Sequence, residues 1–230
     1  MTFRKRLQYF LVKKLSISNK LALMSILEGK VKLNGLFVFE NLEIEPHFEI
    51  IFEDKIIQKG KELLYFAYHK PKGIETTMNL EIADNLADFL PAELALFPVG
   101  RLDKDSEGLL ILTNDGTIYD KILRKEFALE KEYEVVVDQE INTVFLAQMA
   151  VGVVIMGKKT LPCEIFQSSE NSFRIVLIQG LNNQIRRMCY KLGFKVLQLK
   201  RVRIGAVFLS DLAANQRRAI SKAEIFNVSK

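Results

Sequence analysis

The chain has 230 residues, of which 49% are hydrophobic and 27% are charged, and this balance is typical of a globular protein rather than a disordered one. No apolar run approaches the roughly 18 residues that a membrane-spanning helix needs, so no membrane partner is expected. The basic N-terminus lacks a long apolar core and a small-residue cleavage site, which favours a soluble, cytoplasmic protein.

The two cysteines and two histidines of the chain are well separated along the sequence. Cys163 and Cys189 give no disulfide framework and suit a reducing compartment. Structural zinc sites need about four such ligands, most of them at short spacings, so the composition argues against a zinc site.

The first sixty residues predict a small module of helices followed by a hairpin. An apolar face over residues 4–15 predicts one helix, and a second helix can begin at Ser18 or Asn19 and end near Gly29. The dipeptide Asn34-Gly35 between two short apolar runs is a strong hairpin signal. The remaining segments are a further strand at 47–54 and a linker at 55–62. We therefore expect an α+β module over residues 1–60.

Residues 61–230 predict a second, larger domain in which strands predominate. Predicted strands cover residues 63–68, 109–113, 131–138, 162–167, 173–180 and 195–207. Predicted helices cover residues 82–90, 117–127, 141–153 and 182–194, the last with Ile185, Met188, Cys189 and Leu192 facing inward. Because the helices are interspersed irregularly, we expect an α+β fold with a mixed, largely antiparallel sheet rather than a doubly wound parallel one.

Positive charge is concentrated in two blocks, although the net charge is only +5. Residues 4–32 hold eight basic residues against one acid, and residues 186–203 hold seven basic residues and no acid. A single block of this kind is more often a solvated face. Two separate blocks favour a polyanionic partner, and therefore a nucleic acid.

The stretch "FPVGRLDKDSEGLLILTNDG" at residues 97–116 places several charged residues against an apolar strand. The alternation of Asp103, Asp105 and Glu107 before a glycine imitates the start of a calcium loop. Such a loop needs a glutamate at its twelfth position, where Asn114 stands, and a helix on each side. The mismatch argues against calcium and against a metal site here.

The usual signals of nucleotide cofactors and of serine nucleophiles are missing from the sequence. His69 is a lone histidine, which is more often structural than catalytic. A carboxylate beside an arginine remains, and carboxylates act as nucleophiles at sugar and phosphoryl centres. From the residues alone, Asp103, Asp105 and Glu107 are equivalent candidates, and a solvated turn with local ion pairs is the simpler alternative.

Several segments, taken in order, resemble the signature of the bacterial rRNA pseudouridine synthases of the small-subunit type and their large-subunit relatives. The stretch at 97–116 is similar to the family's G-R-L-D motif, and the catalytic aspartate of that motif corresponds to Asp103. "HKPKGIETT" is similar to its K-P-x-G segment, "EKEYEVVV" to its K-x-Y segment, and "QGLNNQIRRMCYKLGFKVLQLKRVRIG" to its N-R-Q-I-R-R-M segment. The first sixty residues resemble the small S4 RNA-binding module that usually precedes this catalytic domain.

The resemblance implies that the chain isomerises a uridine in rRNA to pseudouridine without a cofactor. It assigns Asp103 as the catalytic residue, Tyr133 as the residue that stacks against the flipped base, and Arg186 as the arginine that pairs with the aspartate. Whether Asp103 attacks the ribose or removes its C2′ proton stays open. The residues that the resemblance and the basic blocks place against RNA are Lys20, Lys70, Arg101, Arg187, Lys200, Arg201 and Arg203.

Two further segments, "MAVGVVIMGKKTLPCEI" and "VLIQGLN", are most similar to the branch that modifies the large-subunit 23S rRNA at uridine 2604. We therefore expect a monomeric protein with 23S rRNA as its partner and tRNA as an additional candidate substrate. Two departures stand out: Asn183 replaces a family arginine, and "SISNKLAL" replaces the module's Ser-Arg-Arg-Glu-Ala helix start. The alternative hypothesis is a non-catalytic rRNA-binding or ribosome-assembly factor.

Overall fold

The computed structural model describes residues 5–119, 122 and 129–227. The chain divides into two compact units, Met1–Leu63 and Leu64–Lys230. The sequence places the domain boundary after residue 60, close to the junction of these units. No helix among the described residues has the length and apolar character needed to cross a membrane.

The N-terminal unit contains two helices and a four-stranded antiparallel sheet. Its elements are α1 (Leu7–Leu15), α2 (Asn19–Leu27), β1 (Val31–Leu33), β2 (Leu36–Val38), β3 (Ile50–Phe52) and β4 (Lys55–Gln58). The strand order is β2-β1-β3-β4. The predicted helices and hairpin are confirmed. The linker predicted over 55–62 is wrong, because its first half is β4, which pairs with β3 across a tight turn at Glu53 and Asp54.

Local signals explain these elements. The Ser18 hydroxyl caps α2 by accepting a hydrogen bond from the Leu21 amide at 3.1 Å. Asn34 and Gly35 both have positive φ, as the two-residue turn between β1 and β2 requires. The helices pack on the sheet through a shared apolar core, whose fully or nearly fully buried members are Leu7, Leu11, Ala22, Ile26, Val31, Leu33, Val38 and Ile50.

The C-terminal unit is built on a nine-stranded sheet. Its strands are β5 (Tyr65–Lys70), β6 (Phe97–Val99), β7 (Glu107–Thr113), β8 (Lys131–Val137), β11 (Glu164–Ser169), β12 (Ser172–Leu177), β13 (Val196–Ile204), β14 (Val207–Phe208) and β15 (Arg217–Ala219), while β9 (Val154–Ile155) and β10 (Lys158–Lys159) form a separate hairpin. The order is β11-β12-β8-β13-β7-β5-β15, with β14 on β13 and β6 on β7. Among the described residues only β7 and β13 pair in parallel, so the sheet is mixed, as predicted.

Three helices of the C-terminal unit are described: α3 (Thr143–Ala150), α4 (Gln184–Lys191) and α5 (Lys222–Phe226). The helix predicted over 82–90 is wrong, because this stretch forms only a short 3₁₀ turn at Leu86–Phe89. Asp84 adopts a left-handed conformation and Asn85 caps the turn, which leaves no room for a longer helix before Pro91. The helix predicted over 117–127 falls largely outside the described residues.

Helices α3 and α4 cover one face of the sheet. Their inward residues, with those of β8, β12 and β13, form one apolar cluster that includes Val135, Phe145, Met149, Phe173, Ile175, Ile185, Met188, Cys189 and Leu199. The predicted inward face of α4 is confirmed, although Leu192 is only partly buried. Because this face is fixed in the core, the remaining residues of α4 point away from it.

Gly108 determines how closely β13 approaches β7. It stands opposite Arg201 in the parallel pairing and has a φ of +112°. A Cβ at this position would collide with the backbone oxygen of Arg201. Glycine is therefore required at the start of β7.

Asp115, just after the C-terminal end of β7, connects three parts of the C-terminal unit through hydrogen bonds. Its carboxylate is 2% exposed and accepts hydrogen bonds from the Tyr65 hydroxyl at 2.6 Å and the Lys222 ammonium at 3.1 Å. Thr117 donates to it from both its amide and its hydroxyl. Burial opposes ionisation of Asp115, but the hydrogen bonds from Thr117, Tyr65 and Lys222 outweigh it and hold the pKa of this carboxyl well below its usual range.

We predict that Asp115→Asn lowers the free energy of unfolding of the C-terminal unit by about 2 kcal/mol or more at neutral pH, since it leaves charged and polar partners unsatisfied. A carboxyl with a lowered folded-state pKa stabilises the protein above its unfolded pKa of about 3.9 and loses that contribution as the pH falls. The difference between wild type and variant should therefore shrink in acid. Urea denaturation at several pH values measures it.

Glu134→Gln is the matched control, because Glu134 forms an exposed ion pair with Arg174 at 2.8 Å. This variant should lose less than about 1 kcal/mol at any pH. Equal losses for the two variants would show that the Asp115 network is not a special source of stability.

Candidate active site

The loop between β6 and β7 carries Asp103 and is fixed through its backbone. The buried Thr76 hydroxyl donates to the Leu102 carbonyl at 2.6 Å and lies 3.2 Å from the Leu102 amide, which donates back to it. The Ser106 amide donates to the Asp103 carbonyl at 3.0 Å. These bonds hold the peptide on both sides of Asp103, so the position of its side chain is set by the fold.

The Asp103 carboxyl is half-buried, and burial raises its pKa. The positive charges of Arg186 and Arg101 oppose this rise but do not cancel it. The sequence predicts that a neighbouring guanidinium keeps Asp103 ionised. Arg186 and Arg101 do lower the pKa of this carboxyl, but desolvation raises it by more.

Arg186 reaches the same loop from α4. Its Nη2 donates to the backbone carbonyl of Asp105 at 2.8 Å, and its Nη1 donates to the carbonyl of Val196 at 3.2 Å. Among the described residues, Arg186 makes no hydrogen bond to the Asp103 carboxylate. It therefore acts on Asp103 through its charge and holds the loop through its backbone, which differs from the direct pair that the resemblance implies.

Asp103 and Tyr133 line one cavity of about 360 Å³. Tyr133 enters it from β8, thirty residues later in the chain, because β8 and β7 flank β13 in the sheet. The same cavity is lined by Arg101, Lys131 and Arg201, among others. Basic residues outnumber the single carboxylate among the charged residues of the lining, which favours a substrate that carries negative charge.

Two of the residues predicted to touch RNA lie in the interior. Lys70 is completely buried, and its ammonium donates to the carbonyls of Pro71 and Ile74 at 2.9 and 2.7 Å. Burial lowers its pKa to about 8. Arg201 is 3% exposed and donates to the carbonyl of Leu109 at 2.7 Å. The burial of Lys70 and Arg201 argues against the direct RNA contact that the sequence predicts for them, and both side chains support the site from within.

Arg203 is also engaged within the protein. Its guanidinium pairs with Glu132 at 2.9 Å and with Glu130 at 3.0 Å. The two carboxylates compensate its charge, so the predicted phosphate contact of Arg203 is not supported. Lys200, one strand position away from Arg201, is half-buried.

Three other predicted contacts lie where RNA can reach them. Arg101 is exposed at the cavity, and Arg187 is exposed on α4, where it donates to the carbonyl of Asn182 at 3.0 Å. Lys20 is exposed on α2 of the N-terminal unit.

Sequence reasoning missed Ser106 and Lys131 as members of the site. The Ser106 hydroxyl and the Nη2 of Arg201 are buried beside the cavity and have no hydrogen-bond partner among the described residues. Lys131 donates to the Leu129 carbonyl at 2.8 Å, and its pKa is lowered by burial and by Arg201. Ser106 follows Asp103 closely in the sequence, and Lys131 precedes Tyr133 in the K-x-Y segment. This closeness in sequence to two predicted site residues is the signal that could have identified them.

Comparisons with known proteins agree with this geometry. The family model described as RNA pseudouridylate synthase matches residues 64–191, which is more than half of the chain. The chain is 38% identical over 205 residues to the dual-specificity RNA pseudouridine synthase RluF of Escherichia coli strain K12, covering 88% of this chain and 71% of that protein. It is 29% identical over 231 residues to ribosomal small subunit pseudouridine synthase A of Haemophilus influenzae, covering 98% of this chain and 100% of that protein.

Among solved structures, a crystal structure of pseudouridylate synthase superposes with a TM-score of 0.67 at 29% identity and covers 96% of this chain and 97% of that one. The family model spans the segment that carries both Asp103 and Tyr133. The chain therefore belongs to the RNA pseudouridine synthase family.

Proposed function

We propose that this protein isomerises a uridine of ribosomal RNA to pseudouridine, with Asp103 as the catalytic carboxylate. The observation that carries the proposal is the cavity in which the Asp103 loop and Tyr133 meet, with Arg101, Lys131 and Arg201 also in its lining. The names of the relatives, a dual-specificity RNA pseudouridine synthase and a ribosomal small-subunit enzyme, support an RNA substrate and favour rRNA.

The reaction breaks the bond between N1 of uracil and C1′ of ribose and forms a bond between C5 and the same C1′. The proton on C5 is lost and N1 gains one, so the product is an isomer of the substrate. A uridine in folded RNA must first leave its stack, which costs a few kcal/mol. In this proposal the exposed Arg101 holds the backbone of the flipped nucleotide and Tyr133 stacks on its base; both residues line the cavity, which supports these roles.

Asp103 can act on C1′ as a nucleophile or on the ribose as a base, and both roles require its ionised form. Burial raises the pKa of the carboxyl and leaves the carboxylate poorly hydrated, while the charges of Arg186 and Arg101 oppose the rise and favour the ionised form. The Ser106 hydroxyl, buried beside the cavity, is available to donate a hydrogen bond to the substrate.

We also propose that the N-terminal unit is an S4-like RNA-binding module. Its two helices followed by a short sheet, with Lys20 exposed on α2, support this assignment. The remaining exposed positions of α2 include Leu21, Met24 and Leu27, so this helix offers RNA less charge than the basic N-terminal block suggests.

We predict that Asp103→Asn lowers kcat by a factor of about 10⁴ or more while RNA binding and folding persist, since only the reacting carboxylate is removed. Release of tritium from RNA labelled at uridine C5 measures turnover directly, because that hydrogen is lost in the reaction. Asp105→Asn is the matched control: its side chain is exposed in the same loop, so turnover should stay within a few-fold of wild type. Full activity of Asp103→Asn would refute the assignment of Asp103, whereas no turnover by the wild-type protein would favour a non-catalytic assembly factor.

Arg186→Gln should move the acidic limb of the pH–rate profile to higher pH. The Arg186 charge lowers the pKa of Asp103, so its removal raises that pKa further and protonates the carboxylate at a less acidic pH. Arg186→Lys keeps the charge and should leave the limb close to its wild-type position while lowering kcat, because the loop contact to Asp105 is altered. A limb that does not move in Arg186→Gln would mean that Arg186 acts only by holding the loop.

In a strain that lacks this protein, we expect one uridine of 23S rRNA to lose its modification. Chemical adducts specific for pseudouridine, read by primer extension, locate it. Restoration by the wild-type chain and not by Asp103→Asn would tie the modification to this site. Loss confined to tRNA would show that the rRNA assignment is wrong.

A further inference from the structure

A second cavity of about 540 Å³ lies between α4 and the tip of the β9–β10 hairpin. Its volume is within the range of small-ligand sites, roughly 300–1,000 Å³. We call it the α4 groove; the residues that characterise it are Ile155, Met156, Arg187, Tyr190, Lys191 and Lys195. Of the residues assigned to the reaction, Arg186 lines this groove, whereas Asp103 and Tyr133 do not.

The charged residues of the α4 groove are all basic. Arg186, Arg187, Lys191 and Lys195 line it, and none of its lining residues is acidic. Within the part of the chain that the structure describes, none of these four side chains is in an ion pair. Asp138 lies nearby, but its carboxylate accepts from the backbone amide of Lys195 at 2.8 Å rather than from a side chain of the groove. The basic residues of the lining therefore favour a ligand that carries negative charge.

Large exposed apolar side chains stand among these charges. Tyr190 is 79% exposed on α4, and Met156 is 66% exposed in a left-handed conformation at the hairpin tip. Neither side chain contributes to the core, which takes Ile185, Met188 and Cys189 from α4. An exposed aromatic ring flanked by basic residues is the combination with which proteins bind unpaired bases, by stacking on the ring while the cations contact the backbone.

The α4 groove adjoins the catalytic cavity. Asn183 lines both, and Arg186 lines the groove while its charge acts on Asp103. Because the two cavities are adjacent, one RNA strand can have a uridine in the catalytic cavity and a neighbouring nucleotide in the α4 groove.

We propose that the α4 groove binds an unpaired nucleotide of the substrate RNA close to the target uridine, with its base stacked on Tyr190 and its phosphates held by Lys191 and Lys195. This inference rests on the proposed function for the identity of the RNA. It assigns to Tyr190 a role in positioning the strand, separate from the reaction at Asp103.

The natural sequence contains no tryptophan, so Tyr190→Trp introduces a single fluorophore at the proposed stacking surface. Stacking of a base on this indole should quench its fluorescence when a single-stranded oligoribonucleotide is added to the full-length protein. An oligomer of the same length with abasic ribose at every position should leave the fluorescence nearly unchanged, although its phosphates still compete for binding.

Phe166→Trp is the matched control, because Phe166 is 58% exposed on β11 in the same unit. Its fluorescence should not respond to either oligomer. Equal quenching in the two variants, or none in Tyr190→Trp, would overturn the proposal. A change that depends on protein concentration and not on RNA would assign the groove to a second copy of the chain and overturn it as well.

Kinetics provide an independent test. Tyr190→Ala should raise KM for the substrate RNA about tenfold or more, with kcat at saturating RNA little changed, while Tyr190→Phe keeps the ring and the wild-type KM. The double variant Lys191→Gln, Lys195→Gln should reduce the slope of log Kd against log salt by about 0.7 for each lost phosphate contact. Tyr190→Ala should leave that slope unchanged, and an unchanged slope in the lysine variant would contradict the phosphate contacts.

The fluorescence test does not require turnover, so the two proposals fail separately. Quenching by RNA in a protein without pseudouridine synthase activity would keep the groove and reject the proposed function. Turnover without any effect of Tyr190 substitutions would keep the function and reject the groove.

Discussion

The close approach of β13 to the start of β7 is the constraint on which the active site depends. Gly108 has no side chain, so the backbone of Arg201 lies directly against it. From this position the Arg201 guanidinium donates to the carbonyl of Leu109 at 2.7 Å and to that of Arg101 at 3.4 Å. One buried residue thus contacts both ends of the loop that carries Asp103. Any side chain at residue 108 would displace β13 and the catalytic carboxylate together.

Two aspartates of the same motif show how surroundings separate a reactive carboxylate from a structural one. Asp115 accepts hydrogen bonds from Tyr65, Thr117 and Lys222, and its pKa is held well below the usual range. The Asp103 carboxylate accepts no hydrogen bond from the described residues; burial raises its pKa, and the charges of Arg186 and Arg101 oppose the rise. The lone pairs of Asp115 are committed to the fold, whereas those of Asp103 remain available to a substrate.

The sequence predicts this fold best where local physical signals are strong. Ser18 at the start of α2, the Asn34-Gly35 turn and the apolar face of α4 each specify their element by capping, backbone conformation or periodicity. The strand Lys55–Gln58 was missed because its four residues, Lys-Ile-Ile-Gln, are too few to show an alternating pattern, and its pairing with β3 is tertiary. Asp103 was singled out by resemblance alone, since neither spacing nor charge distinguishes it from Asp105 or Glu107. Burial of Lys70 and Arg201 depends on strand register, which charge counting ignores.

In the structure, the basic residues of the block at 186–203 fall into two groups, one on β13 and the other on and just after α4. On β13, Arg201 is buried and Arg203 is compensated by Glu130 and Glu132 on or beside β8, so the strand contributes little to the external field. On and just after α4, Arg187, Lys191 and Lys195 are exposed and line the α4 groove, which shares Asn183 with the cavity that holds Asp103. A long-range attraction centred on α4 would thus draw an RNA strand toward the loop that Arg186, a residue of the same helix, holds in place. If the proposed function holds, electrostatic capture of the RNA and positioning of the Asp103 carboxylate both depend on one short helix.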